Sequence, residues 1–198
     1  MAIIESGGVV PNKLLINGEG RAETQSDTLS QADAEAIAGN GYNINTGDIT
    51  LTNATKITAL YVKNTGTKDL IVNTFIYLTG NSTSGAATSD FLYTAITNPT
   101  AGDIITNANA VDVNINRRIG STNSLSVNAY KGAQGETAVS GGSDLFGTRL
   151  SGSGRQAIPF LVVIPAQQSL AIDFTPKASN TSVIFQIALS CYERNLGD

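Results

Sequence analysis

The chain has 198 residues, of which 14% are charged and 41% are apolar, and its formal net charge at pH 7 is -4. This length fits one domain, or one domain with an extension, that buries a core without disulfide or metal support. The weak negative charge provides no basic field for nucleic acid or anionic lipid, and no apolar run approaches the roughly 20 residues of a membrane-spanning helix. We therefore expect neither nucleic-acid binding nor membrane insertion.

Histidine is absent and there is a single cysteine. The absence of histidine excludes Ser/His/Asp and Cys/His nucleophilic catalysis and His-ligated metal sites, and a single cysteine excludes thiolate metal clusters. Paired carboxylates and oxygen-ligated metals remain, but the aspartates are scattered through turn-like stretches such as NTGDIT and GGSDLFG. We expect no enzyme activity and no cofactor. Cys191 lies in the apolar run VIFQIALSCY, which predicts a buried free thiol.

Residues 1 to 46 differ from the rest of the chain and are interpreted as an N-terminal arm with one short helix. The stretch TLSQADAEAIAG predicts that helix, with Ser30 as N-cap, Asp33 three residues later and Gly39 at the C-terminal stop. Before it, VVPNKLLINGEG is apolar without a steady period, so it is either an arm lying on a neighbouring surface or the first strand of the domain. The start of the chain lacks the features of a secretory signal, which predicts cytosolic synthesis.

From Asp48 onward the apolar residues recur with a period of two. DITLTN, KITALYVKN and DLIVNTFIYLTG predict three strands, and NTGTKD predicts a hairpin connection between the last two. In the third strand both faces are largely apolar, which predicts cover on both sides. One face carries Leu70, Val72, Ile76 and Leu78, and the other carries Ile71, Phe75 and Tyr77. DFLYTAI fits either a short helix or an irregular strand.

The stretch AVDVNINRRIG, from Ala110 to Gly120, alternates so regularly that it predicts a half-exposed strand, followed by a second one at SLSVNAYKG. Its polar face offers one aspartate among amides, which suits a solvated sheet face or a protein interface better than a catalytic row. Arg117 falls on the otherwise apolar face, so it requires a carboxylate partner or exposure at a sheet end.

Residues 131 to 154 are rich in glycine and predict a long exposed excursion with an apolar anchor at Leu145 and Phe146. Three strands follow, at QAIPFLVVIP, SLAIDFTP and TSVIFQIALSCYE, with Pro165 and Pro176 closing two of them. The predicted core face of the last strand consists of Val183, Phe185, Ile187, Leu189 and Cys191.

About eight strands separated by turn signals predict an all-β fold, an antiparallel β-sandwich of jelly-roll type. The predicted organisation is an N-terminal arm with a short helix over residues 1 to 46 and a β-sandwich domain over residues 47 to 198.

The segments ALYVKNTGTKDLIVNTFIYLTG and FLVVIPAQQSLAIDFTPKASNTSVIFQIALSCYE resemble tailed-bacteriophage virion proteins, particularly β-sandwich capsid decoration or cement proteins. The resemblance implies a structural protein that is made in the host cytoplasm and resides in the virion. It further implies binding to the major capsid protein and self-association, commonly as a trimer. A phage tail or head-fibre accessory protein is a related alternative.

The expected contact residues are Lys13, Leu14, Leu15 and Ile16 in the arm, together with Arg117 and Arg118. A competing function is that of a carbohydrate-binding or adhesin-like sandwich, with Tyr42, Tyr93 and Tyr130 as the candidate stacking aromatics in a chain that has no tryptophan. A third alternative, a carboxylate-based glycosidase, requires two acids ~5 to 9.5 Å apart across a cleft.

Overall fold

The computed structural model describes residues 13–16, 22–25, 30–52, 55–80, 90–106, 109–113, 115–151, 154–176 and 183–194. The helices in these ranges are α1 (Gln31–Ala38) and α2 (Asp103–Thr106). The strands are β1 (Lys13–Ile16), β2 (Ala22–Gln25), β3 (Gly41–Asn45), β4 (Ile49–Leu51), β5 (Ile57–Asn64), β6 (Asp69–Gly80), β7 (Asp90–Thr97), β8 (Ile115–Asn116), β9 (Val127–Lys131), β10 (Ser143–Ser151), β11 (Gly154–Ile164), β12 (Ser169–Pro176) and β13 (Val183–Arg194).

Two antiparallel sheets form a sandwich. One sheet, here called the β12 sheet, has the order β10-β7-β12-β5-β9. The other, the β13 sheet, has the order β11-β6-β13-β3-β8, and β4 also pairs with β13. Because β3 and β4 pair with consecutive parts of β13, they act as one strand with a short interruption.

The order of the strands is that of a jelly roll. From β4 to β7, and again from β10 to β13, each strand is followed by one in the opposite sheet. The step from β7 to β10 stays within the β12 sheet, and the residues between these two strands carry α2, β8 and β9. This segment is called the insertion below. The prediction of an all-β antiparallel sandwich of jelly-roll type is confirmed.

Apolar side chains fill the space between the sheets. The predicted core face of β13 is confirmed, since Val183, Phe185, Ile187, Leu189 and Cys191 are all buried. Stacked rings join the two sheets: the centroids of Phe174 on β12 and Phe185 on β13 are 3.9 Å apart. Cys191 is a buried free thiol, as predicted.

The predicted helix is present as α1. The Oγ of Ser30 accepts a hydrogen bond from the Asp33 amide (3.2 Å), and Gly39 ends the helix with a left-handed φ of 85°. The sandwich starts earlier than residue 47, however, because β3 belongs to the β13 sheet. Among the described strands, β1 and β2 hydrogen-bond only to each other, so β1 is not the first strand of the sandwich.

A bulge in β6 overturns one prediction about its faces. Ser190 of β13 pairs with Thr74 but the next residue, Cys191, pairs with Val72, which leaves Asn73 as an extra residue. The inward face therefore changes parity, and Phe75 and Tyr77 join Leu70 and Val72 in the core. Ile76 and Leu78 consequently lie on the outer face, where Leu78 is 38% exposed.

Three local predictions from the sequence are settled by the structure. The alternating stretch from Ala110 to Gly120 is not one long strand: among its described residues, Ile115 and Asn116 form the two-residue strand β8, and Ala110 makes an isolated antiparallel bridge with Tyr130 of β9. DFLYTAI is a strand, β7. The glycine-rich excursion is wrong from Ser143 onward, since β10 forms the edge of the β12 sheet; Phe146 packs against the core as predicted, whereas Leu145 is 47% exposed.

Candidate interaction surfaces

The outer face of the β12 sheet is covered by the insertion. A second apolar cluster lies there, separate from the main core. Ile104 of α2 is 1% exposed and Val139 is 5% exposed, and both pack against residues of the sheet. The buried members of this cluster are Tyr61, Ile96, Ile104, Val139 and Ala171.

A buried carboxylate fixes the insertion to this sheet. Asp173 is fully buried, and its Oδ2 lies 2.6 Å from the ammonium of Lys56. The hydroxyl of Thr58 donates to Asp173 Oδ1 (2.6 Å) and accepts a hydrogen bond from the amide of Val139 (2.7 Å). Because the buried carboxylate has an ion pair on one oxygen and a hydrogen bond on the other, these groups hold the insertion against the sheet.

The outer face of the β13 sheet carries an open groove of about 340 Å³, here called the outer groove. Its apolar part includes Leu78 and Ile115, which are 38% and 42% exposed, and Arg155 is its charged lining residue. Further along the same face, Leu161 of β11 is 77% exposed. The residues that line the outer groove are Asn43, Asn45, Ile76, Leu78, Ile115, Arg155, Gln186 and Ala188.

The predicted contact residues Arg117 and Arg118 lie in a loop after β8, called the arginine loop (residues 117–123). Three side-chain donors converge on the carbonyl of Gly39 at the end of α1, and they come from Asn116 (2.7 Å), Ser121 (3.2 Å) and Asn123 (3.2 Å). These bonds attach the arginine loop to α1. Ile119, at the centre of the loop, is fully exposed.

Arg117 meets both conditions that its sequence position imposes. Its side chain is partly exposed, at 30%, and its guanidinium lies 4.0 Å from the carboxylate of Asp33 on α1. A partly exposed pair at this distance contributes little to stability, so the arginine is held chiefly by its backbone, whose amide donates to the Gly41 carbonyl (2.8 Å). That Arg117 and Arg118 contact a partner stays a prediction.

The other predicted contact residues, Lys13, Leu14, Leu15 and Ile16, are the four residues of β1. The structure pairs β1 with β2 and does not pair it with β8, the strand that leads to the arginine loop. The two predicted sets therefore do not belong to one strand-paired unit. Their common role as contacts stays a prediction.

A polar cleft of about 450 Å³ lies beside the C-terminal end of α1. Lys68 and Glu193 bring opposite charges to it, and one oxygen of Glu193 accepts a hydrogen bond from the Ser126 amide (2.8 Å). The remaining lining residues are Asn40, Tyr42, Thr122, Asn123 and Ser124.

The tyrosines that the sequence offers as sugar platforms do not present open rings. Tyr42 and Tyr93 are 2% and 1% exposed, so that prediction is wrong for both. Tyr130 is half-buried and stacks on Tyr61, with ring centroids 6.3 Å apart. Burial, followed by the nearby Glu193, raises the pKa of the Tyr42 hydroxyl, which stays a neutral hydrogen-bonding group.

The described residues provide few groups suited to metal binding or nucleophilic catalysis. They contain no group of three or more His, Cys, Asp or Glu side chains placed to hold a metal ion. Burial, and secondarily Glu193, raises the pKa of Cys191 to about 12, so the thiol is protonated at neutral pH and is a poor nucleophile. None of the helices in the described ranges is long and apolar enough to cross a membrane.

Comparisons with known proteins give no assignment to a family. No family model matches the chain, and no curated protein matches its sequence. Among solved structures, the chain is similar to a mutant VP2 protein of infectious bursal disease virus in derived T=1 particles, at 12% identity and a TM-score of 0.21, with 98% of this chain and 48% of that chain covered. A structure of the Gt strain of infectious bursal disease virus gives 11% identity, a TM-score of 0.21 and coverage of 97% and 50%. The chain thus spans about half the length of these proteins, and TM-scores of this size do not establish a shared fold.

Sequence reasoning missed the outer groove and the cover over the β12 sheet. The groove depends on the bulge at Asn73, for which the sequence of β6 holds no signal. The cover has one signal that could have been used: the apolar residues Ile104 and Val139 occur within otherwise polar, turn-rich stretches.

Proposed function

We propose that this chain is a non-enzymatic structural protein of a tailed-bacteriophage virion, which decorates and stabilises the capsid. It does so by contacts with the major capsid protein and with further copies of itself, assembled as a trimer. The observation that carries this proposal is a jelly-roll sandwich with an open, partly apolar groove on one outer face. Jelly rolls are a common fold of viral shell proteins, and exposed apolar surface marks sites where proteins associate.

The state of the acidic groups supports a non-enzymatic role. Asp173 is enclosed by Lys56 and Thr58, and Asp103 Oδ2 accepts a hydrogen bond from the Thr137 amide (2.7 Å). These carboxylates maintain the fold of the insertion and are committed to its contacts. A capsid-binding protein needs only binding free energy, which many equivalent weak contacts supply on a repeating lattice.

The proposal is tested by locating the protein in purified virus particles from the source that encodes it. We expect density-gradient particles to contain the chain in fixed ratio to the major capsid protein, by quantitative mass spectrometry. Light scattering of the purified protein tests the trimer separately. Finding the chain only in the soluble fraction of the lysate would overturn the proposal.

A matched pair of variants tests whether the outer groove is involved. Leu78→Asp places a charge in the groove, whereas Asn128→Asp places one on exposed β9 of the other sheet. We expect the first variant to bind particles that lack the protein at least about tenfold more weakly, which corresponds to about 1.4 kcal/mol, and the second to bind normally. Equal binding by both would remove the groove from the proposal.

The polar cleft favours a second candidate function, that of a carbohydrate-binding module. Its amides, hydroxyls, ammonium and carboxylate are groups that hydrogen-bond sugar hydroxyls, and lectins also use the jelly roll. A glycan array tests this function, with Lys68→Ala as the cleft variant and exposed Lys63→Ala as its control. Selective binding that only Lys68→Ala abolishes would favour the sugar function, whereas an array without signal would reject it.

A further inference from the structure

The polar cleft beside α1 has one wall whose side chains are already held by hydrogen bonds. Asn123 Nδ2 donates to Asn40 Oδ1 (2.9 Å) and to the Gly39 carbonyl (3.2 Å). These bonds join the arginine loop to the residues that end α1. A wall that is fixed in this way is preorganised, so a ligand that enters the cleft does not have to order it.

A carboxylate and a buried hydroxyl in this cleft have acceptor oxygens to spare. Tyr42 is 2% exposed, and its hydroxyl makes no hydrogen bond within the described part of the chain. Cys191 is the register partner of Tyr42, and Glu193 follows two positions later on the same face of β13. One oxygen of Glu193 accepts the Ser126 amide, and the other has no cation or donor among the described residues. Glu193 adds to the effect of burial in raising the pKa of the Tyr42 hydroxyl, so the two groups lie close enough to interact. Together they provide the acceptors that a ligand ammonium requires.

Lys68 brings the opposite charge to the same cleft. Its side chain is exposed, and it forms no salt bridge with Glu193 or with any other described carboxylate. The hydroxyls of Thr122 and Ser124 also line the cleft and are not bonded to other described residues. An ammonium with neighbouring hydroxyls suits a carboxylate, because all of these groups donate hydrogen bonds. Two opposite charges that are not paired with each other, in a cleft of about 450 Å³, therefore fit a ligand that carries both charges itself.

We propose that the polar cleft binds a small zwitterion, whose ammonium contacts Glu193 and Tyr42 and whose carboxylate contacts Lys68. A neutral sugar leaves both charges of the cleft without a partner, and the lining residues present no open aromatic ring on which it could stack, since Tyr42 is buried. A free amino acid and an amino sugar with an acid group share the required chemistry. The inference goes beyond the virion function and, for the sugar, narrows the second candidate function to saccharides that carry both charges.

Titration of the isotope-labelled full chain with sugars built on the same glucose ring tests the charge requirement. Muramic acid carries both charges, glucosamine carries only the ammonium, glucuronic acid carries only the carboxylate, and glucose carries neither. The amide signals of Ser126, which is bonded to Glu193, and of Asn123 report binding in the cleft. Alanine, a zwitterion without a sugar ring, is titrated in parallel and distinguishes the two sources of the ligand.

We expect muramic acid, alanine or both to bind at least about tenfold more tightly than glucosamine, glucuronic acid and glucose, because only a zwitterion pairs both charges of the cleft. If neither zwitterion shifts the cleft amides, or if glucose binds equally well, the proposal is wrong.

Conservative variants assign the two charges. Lys68→Gln and Glu193→Gln should each weaken binding of the zwitterion by about tenfold, and Glu193→Gln keeps an oxygen for the Ser126 amide. The exposed controls Lys63→Gln and Asp144→Asn should bind like the unmodified chain. Unchanged or tighter binding by Lys68→Gln would show that Lys68 serves only to neutralise Glu193, which would overturn the proposal.

Failure of this inference is distinguishable from failure of either proposed function. The titration uses purified protein without virus particles, so its result leaves the virion function untouched. If a neutral glycan binds in the cleft and neither zwitterion does, the inference is wrong and the carbohydrate candidate stands. If alanine binds and no saccharide does, the inference stands and the carbohydrate candidate is wrong.

Discussion

The two outer faces of the sandwich have similar composition and different surroundings. On the β12 sheet, the outward residues Tyr61 and Ala171 are buried because the insertion brings Ile104 and Val139 over them. On the β13 sheet, outward residues such as Leu78 remain partly exposed around a groove. The sequence of an apolar outward face therefore does not show whether another part of the chain covers that face. The β12 sheet shows how such a face is covered by other residues of the chain, whereas the outer face of the β13 sheet remains partly exposed to solvent.

The largest expected effect compares matched truncations on the two faces. Ile104→Ala removes a fully enclosed side chain from the covered face, which should lower the free energy of unfolding by about 2–5 kcal/mol. Leu78→Ala on the open face should lower it by about 0.5 kcal/mol or less, since the side chain is partly in water. Urea unfolding of dilute monomer checks both values. Similar losses for the two variants would contradict the distinction between a covered and an open face.

The next effect concerns the polar contact that fixes the insertion. Thr58→Val keeps the shape of the side chain but leaves Asp173 Oδ1 and the Val139 amide without their partner. We expect a loss of about 1–3 kcal/mol, because buried polar groups are then unsatisfied. Thr50→Val, at an exposed position of β4, is the control and should be nearly neutral. Faster amide hydrogen exchange at Val139 in Thr58→Val alone would locate the effect in the insertion.

The core between the two sheets contains buried titratable groups, so its contribution to the free energy of unfolding depends on pH. Burial raises the pKa of Cys191 from 9.0 to about 12 and also raises the pKa of Tyr42 and Tyr77. Because the neutral forms are favoured in the folded state, their stabilisation is fully present below about pH 9 and is lost as the pH rises toward 12. Unfolding free energies measured above pH 8 should therefore decline, and less steeply in Cys191→Val. A decline of the same slope in that variant would show that the thiol has no part in it.

The smallest effect is expected for Arg117, next to the open face. Arg117→Ala breaks only a 4.0 Å pair with Asp33 and should change the free energy of unfolding by about 0.5 kcal/mol or less. Asn116→Ala removes a bond to the Gly39 carbonyl and the acceptor of the Arg118 amide, so it should cost about 1 kcal/mol. Thermal unfolding compares the two. If Arg117→Ala also weakens particle binding, the arginine acts as a contact and has little structural role.

The sequence predicted the regular parts of the fold because there the side-chain pattern and the backbone agree. In β13 the residues facing the core are apolar and alternate with Gln186 and Ser190, and the strand has that geometry along most of its length. The same reasoning failed in β6, where one extra residue at Asn73 reverses the parity. Periodicity identifies a face only as far as the next bulge.

Two further errors arose in the insertion. The stretch from Ala110 to Gly120 alternates, but Ala110 forms an isolated bridge with Tyr130 of β9, and Val111 and Val113 pack as partly buried residues against the core. The glycines after Lys131 predict an exposed segment. Gly132 instead lies directly against the backbone carbonyl of Thr58, where any larger residue would collide. Glycine here permits close contact between two segments of backbone, and composition alone does not distinguish that purpose from an open loop.

The bulge at Asn73 has a consequence for how the protein can evolve. Because Ile76 and Leu78 face outward only by virtue of this one residue, its deletion would exchange the environments of the residues that follow it and drive Phe75 and Tyr77 toward solvent. Many amino acids could occupy position 73, but its deletion would exchange the inward and outward faces of the part of β6 that follows it. Selection at this position therefore acts on the number of residues more strongly than on their identity. Relatives of this protein should preserve the spacing between Val72 and Phe75 even where the amino acids between them differ.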